Sequence, residues 1–178
     1  PGDIEDAKVK GVARKDGKWF EGITTPNCSM AEIALDRALL TKNPYLIGVA
    51  LHTYADTWAH QGFAACVHDC NESPNSYGKY SILTKLGHAR VGHYPDWPVI
   101  WRDDRLISGC RINNKHRFKQ AAKHIAKKLD KYINPNSSKE ESKTRREKVV
   151  DDIFKAFGEP IPCKERSEKE LEILSEAQ

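Results

Sequence analysis

Residues 51–63 read LHTYADTWAHQGF. Within them His52, Asp56 and His60 follow one another at steps of four. On an α-helix each such step advances about 40° around the axis, so the three side chains share one face. Each step also climbs about 6 Å, which sets His52 and His60 about 12 Å apart along the axis. A zinc ion takes its ligands at about 2.0–2.2 Å, so three side chains strung this far apart serve one ion poorly. They suit two neighbouring ions better, with Asp56 as the bridge and one histidine for each. An ionised aspartate among apolar neighbours needs a cation, supplied by a metal or by protonated imidazoles. The bland alternative is a pair of core histidines with Asp56 bridging to a neighbouring loop.

The flanking residues predict a helix from about Tyr45 to Gln61. Pro44 suits its first turn and Gly62 its end. Leu46, Ile47, Val49, Leu51, Tyr54, Ala55 and Trp58 point in nearly every direction, which predicts a helix buried in the core. Upstream, Ser29 opens S-M-A-E, a capping box with Glu32, and Ile33, Ala34, Ala38 and Leu39 continue at helical spacing to Asn43-Pro44. Residues 1–28 show no helical period, and Asp16-Gly17 in KDGKWFEG predicts a turn or hairpin. Downstream, helices are expected from about Lys115 to Ile133 and from Lys139 to Phe157, with shorter ones over 79–86, after Pro98 and over 167–177. The expected architecture is therefore all-α: one multi-helix domain with long loops. It divides into an N-terminal loop or hairpin segment (1–28), a helical core with the metal-type motif (29–133) and charged amphipathic C-terminal helices (134–178).

A metal site needs more ligands than one helix supplies. The stretch GHARVGHYPDWP, residues 87–98, offers His88 and His93, each preceded by glycine, which lets the backbone turn close to another group. Asp96, held between two prolines, is either a ligand or a partner that orients an imidazole. The bland reading is a pair of surface histidines in a loop. His116 and His124 are expected on the surface of a basic helix. Tyr54, Trp58, Phe63, Tyr94, Trp97 and Trp101 form either the lining of an apolar pocket or plain core.

Five cysteines, Cys28, Cys66, Cys70, Cys110 and Cys163, are too scattered for a disulfide framework. Cys66 and Cys70 leave three readings open: a local disulfide, a metal clip with His68, or two small residues at a helix end. The net charge of +4 comes mostly from the region 111–148, where acids interrupt the positive face; this speaks against nucleic acid as a partner. No run approaches the ~18 apolar residues of a membrane span. The first residue is Pro1 and not Met, so a longer product is expected and the compartment stays open.

The same residues carry a resemblance. LHTYADTWAHQGF resembles the helix of the zinc-dependent phospholipase C superfamily in which a segment of the form LxHxxxDxxxH supplies metal ligands. That superfamily includes the P1-type nucleases, is all-helical and binds up to three zinc ions in a cleft. The fuller pattern, residues 50–63 followed by G-H-x4-H-Y-P-D-W-P, resembles more closely an uncharacterised bacterial family of the DUF6765 type. The match runs over about residues 28–105. The phospholipases complete their metal set with an N-terminal tryptophan and a late histidine followed four residues on by glutamate. Here Pro1 stands first, and His124 is followed by Lys128.

The resemblance implies a zinc-dependent hydrolase of phosphoesters, a small molecule or a lipid, with one to three zinc ions. His52, Asp56, His60 and His88 would hold metal; His93 and Asp96 would orient ligands or act as acid and base. The competing expectation is a non-catalytic helical scaffold that retains a structural or vestigial metal site and binds a partner.

Overall fold

A computed structural model of the chain describes residues 13–17, 21–73, 83–107 and 111–162. It is mainly helical: α1 (Ser29–Thr41), α2 (Pro44–Ala59), α3 (Asn114–Ile133) and α4 (Lys139–Phe157). Three very short strands, β1 (Val99–Trp101), β2 (Ile112–Asn113) and β3 (Ile161–Pro162), form a sheet in the order β2-β1-β3. β1 pairs antiparallel with β2 and parallel with β3. Val99-Ile100-Trp101 is β-branched and aromatic, which explains a strand where a helix after Pro98 was expected.

The helices stack in chain order, α1 on α2, α2 on α3, and α3 on α4. Leu35 and Leu39 of α1, Tyr54 and Trp58 of α2 and Ala121 of α3 form one core, with Ile47, Leu51, Ile125 and Leu129 packed against it. A second core lies beyond the end of α2, where Phe63, Val91, Val99, Trp101 and Ile112 meet, flanked by Tyr94 and Trp97. The aromatic cluster of the sequence is therefore core, divided between two centres.

Helix boundaries follow their caps. Asn43 Oδ1 accepts from the amides of Tyr45 (3.0 Å) and Leu46 (3.4 Å), with Pro44 in the first turn. An N-cap asparagine contributes about 1 kcal/mol. Asn43→Ala is expected to lower unfolding free energy by about that amount in a urea titration, without changing the slope. Ser138 and Glu141 form a reciprocal capping box on α4. The box expected at Ser29 is absent: α1 begins at Ser29 behind Cys28, whose side chain makes no cap, and Glu32 pairs with Lys128 of α3 instead. A long-range cation has won Glu32 from its local role.

Two further expectations change. α2 ends at Ala59, so His60 sits at its C-cap outside the helix. The first half of α2 is not buried: Tyr45 is 83% exposed and Val49 68%. Its apolar residues exceed what α1 and α3 can cover.

The Asp16-Gly17 turn is present, closed by the Gly17 amide on Arg14 O at 3.2 Å, while the rest of the expected hairpin falls partly on residues 18–20, outside the described set. Residues 83–86 are not helical, and 79–82 and 167–177 lie outside the described residues. Cys66 and Cys70 are free thiols, the first exposed and the second buried. His124 is half-buried with its ring 5.1 Å from that of Trp58, so it is not a plain surface residue.

Candidate metal centre

The end of α2 turns sharply at Gly62, whose φ is +79°. A Cβ there would stand 3.1 Å from Leu106 Cδ2, so glycine is needed for both conformation and space. Beyond it the chain is locked by side chains rather than by secondary structure. Arg105 lies completely buried over the Phe63 ring, 3.4 Å from its centroid. It donates to Asp103 Oδ1 (2.9 Å) and Oδ2 (2.6 Å), and to the carbonyls of Gly62 (3.0 Å) and Cys70 (3.1 Å). Asn71 accepts from the Ala64 amide and donates to the carbonyls of Ala64, Cys66 and Lys85.

A third buried hub, Asn114 at the start of α3, holds the loop that carries Asp96. Its Nδ2 donates to the carbonyls of Tyr94 (2.6 Å) and Trp97 (2.8 Å), and its Oδ1 accepts from Trp101 Nε1 (2.9 Å). Asn114→Ala would leave these groups unpaired, at about 1–3 kcal/mol for each that stays buried. Thermal and urea unfolding are expected to show the loss, and metal binding should weaken with it because Asp96 loses its support.

On this frame three side chains converge. One ligand-capable atom from each of His60, His88 and Asp96 lies within 4.8 Å of the others. His60 Nε2 is 2.7 Å from Asp96 Oδ1, and His88 Nε2 is 3.8 Å from Asp96 Oδ2. Two ligands on one tetrahedral zinc stand about 3.4 Å apart, so these separations bracket the required value. The His60 and His88 rings stack at 4.4 Å. His88 Nδ1 lies 2.7 Å from the carbonyl of Gly92, whose positive φ (+56°) folds it back. Nδ1–H donating there leaves the Nε2 lone pair free for a metal.

The electrostatics agree. Burial pushes the pKa of His88 below its ordinary value, keeping the imidazole neutral, despite the opposing pull of Asp96. Burial alone would raise Asp96. The hydrogen bond with His60 and the electrostatic pull of the surrounding imidazoles outweigh it and hold the carboxyl below its usual range. A neutral imidazole and a carboxylate are the forms that bind metal.

The other candidates sit at the edge. His93 Nδ1 is 3.4 Å from Asp96 Oδ2, with its ring stacked on Trp97. Asp56 Oδ2 is 3.9 Å from His60 Nδ1 and 3.5 Å from His52 Nε2. His52 is 81% exposed and is not among the converging atoms. The steps of four do set Asp56 between the two imidazoles on one face, while the converging group takes in His60 alone of the three. His60 has left the helix and turned its Nε2 toward Asp96, with Nδ1 facing Asp56.

Residues of the described set that the sequence left unremarked are Arg105, Asn71 and Asn114. Their signal was weak: polar side chains in loops or at a helix start, whose partners lie up to 43 positions away. A cavity of about 570 Å³ lies elsewhere, between α3 and α4, among Lys119, Lys123, Lys127 and Lys143. It touches none of the converging residues, so its size does not make it the centre of chemistry.

Fold and site together define a helical protein with a His/His/Asp group that could hold one metal ion. The chain belongs to a family of unknown function, DUF6765, which matches residues 2–178. No curated protein and no solved structure matches it. Among the described residues, no helix is long and apolar enough to cross a membrane.

Proposed function

We propose that the protein is a metal-dependent hydrolase, with zinc held by His60, His88 and Asp96 and a phosphoester as substrate. The observation that carries this reading is the convergence of two imidazole nitrogens and one carboxylate at a partly exposed position. Three protein ligands leave a fourth position open, which is the pattern of catalytic zinc sites; structural sites are closed by four. Bound there, zinc would lower the pKa of a water toward 7 and polarise a phosphoryl oxygen. The chain's own residues have separate tasks. Gly92 O sets the tautomer of His88, and Asp56 faces the Nδ1 side of His60 and can orient that ring. His93, 45% exposed beside Asp96, is placed to exchange a proton with a leaving group. The phosphoester class rests on the resemblance of residues 51–63 to the metal-binding helix of the zinc-dependent phospholipases.

The test is hydrolysis of bis(p-nitrophenyl) phosphate by zinc-loaded protein. Turnover is expected with zinc, to disappear on dialysis against a chelator, and to return on adding zinc back. His93→Ala is expected to lower kcat by about 100-fold while leaving zinc bound, the lower range of a general acid's contribution. Zinc-loaded protein that turns over no phosphodiester or phosphomonoester would favour the alternative, a scaffold with a structural metal.

A further inference from the structure

One end of the helix stack is apolar, exposed and basic. The αL turn at Lys42 (φ +55°) joins α1 to α2 and presents Leu40 (83% exposed), Tyr45, Leu46 (50%) and Val49 to solvent. α3 runs antiparallel to α2: Arg117 near its start reaches Ala59 O at 3.5 Å, while Ile125 and Leu129 share a core with Ile47 and Leu51. Ile133, one turn past Leu129 and 67% exposed, thus lies at the end where α2 begins. Between positions 37 and 51 the only charged residues are Arg37 and Lys42, and Lys131 adds a third cation beside Ile133. The acids near this end are engaged or lie aside: Asp36 pairs with Lys128, Asp130 with Arg145 and Glu141 is held in its capping box, while Glu140 begins α4, which stacks on the far side of α3.

We propose that this end docks on an anionic lipid surface. Large apolar side chains, one amphipathic tyrosine and flanking lysine and arginine are the composition of an interfacial contact. The charge is complementary to acidic headgroups and to little else apolar. The exposed apolar side chains of α2 lie within a rise of about 6 Å, Tyr45 to Val49, which matches the 5–10 Å depth of interfacial burial. Asp56 stands about 16 Å along α2 from Tyr45 and about 10 Å beyond Val49, so the metal group lies outside the embedded layer when the stack stands on its end. The contact is a tether, and it does not depend on the proposed hydrolysis.

The test is sedimentation of the 178-residue chain with vesicles of equal parts phosphatidylcholine and phosphatidylglycerol, beside pure phosphatidylcholine. Binding to the anionic vesicles is expected, well above the neutral ones. Leu46→Ser with Val49→Ser, and separately Lys42→Glu with Lys131→Glu, should each weaken it by about tenfold or more. All four positions are exposed, so both variants are expected to keep the wild-type circular dichroism spectrum and melting temperature. Three results would overturn the proposal. The wild type does not bind anionic vesicles. It binds, but both double variants bind equally well, which places the contact elsewhere, as at the lysine-lined cavity between α3 and α4. Light scattering shows a dimer that Leu46→Ser with Val49→Ser dissolves, which makes a second copy of the chain the occupant.

Discussion

Purified wild-type protein is expected to carry about one equivalent of zinc, and Asp96→Ala and His88→Ala to carry none after the same preparation. Asp96 lies within reach of both histidines, 2.7 Å from one and 3.8 Å from the other. Its removal leaves two imidazoles, too few to hold the ion against buffer. The drop in affinity should exceed the 10- to 100-fold that loss of an outer-shell partner costs, so about 100-fold is a lower bound. Asp56→Asn, which touches the converging group through the far side of His60, should fall within that range and provides the internal scale. Elemental analysis reads the stoichiometry. Thermal unfolding gives an independent readout, because a ligand that binds only the folded state stabilises it by RT ln(1 + [L]/Kd). Zinc should raise the wild-type Tm and leave that of Asp96→Ala unchanged. A wild type that takes up no zinc even on reconstitution would make the group a hydrogen-bonded network centred on the His60–Asp96 contact. The hydrolase reading would then fail.

The second large effect is expected far from any chemistry. Arg105→Met should destabilise the fold by about 3–5 kcal/mol, since it leaves the Asp103 carboxylate buried without its cation. Both side chains are completely buried. The guanidinium also closes the carbonyls of Gly62 and Cys70 and covers the Phe63 ring, so several partners are orphaned at once. Replacing both residues, Asp103→Leu with Arg105→Met, should recover much of the loss, because a buried pair is costly mainly when broken. Urea unfolding of the two single variants and the double closes the cycle. A loss below about 1 kcal/mol in Arg105→Met would show that water reaches the pair and that the lock between residues 62 and 105 is weak.

Much of the helical architecture was legible because its signals are local. Periodicity marked α1 to α4 within a few residues, and Asn43-Pro44 marked the start of α2 through signals that reach only a few residues. The expected box at Ser29 failed for a tertiary reason, the claim of Lys128 on Glu32. The burial of α2 was misread because periodicity reports how apolar a helix is, not how much neighbouring surface exists to cover it.

The sequence by itself determined that the chain is helical and that its metal-capable side chains gather in residues 52–60 and 88–96. Spacing and composition are sufficient for both. Only the tertiary structure decided which of those side chains meet. His60, at the C-cap, faces Asp56 with Nδ1 and meets Asp96 with Nε2, and Gly92 turned a carbonyl onto His88. Asn114, from the start of another helix, set the loop that brings Asp96 to both. The His60–Asp96 and Asn114–Trp97 contacts span 36 and 17 positions of sequence, and no local pattern encodes them.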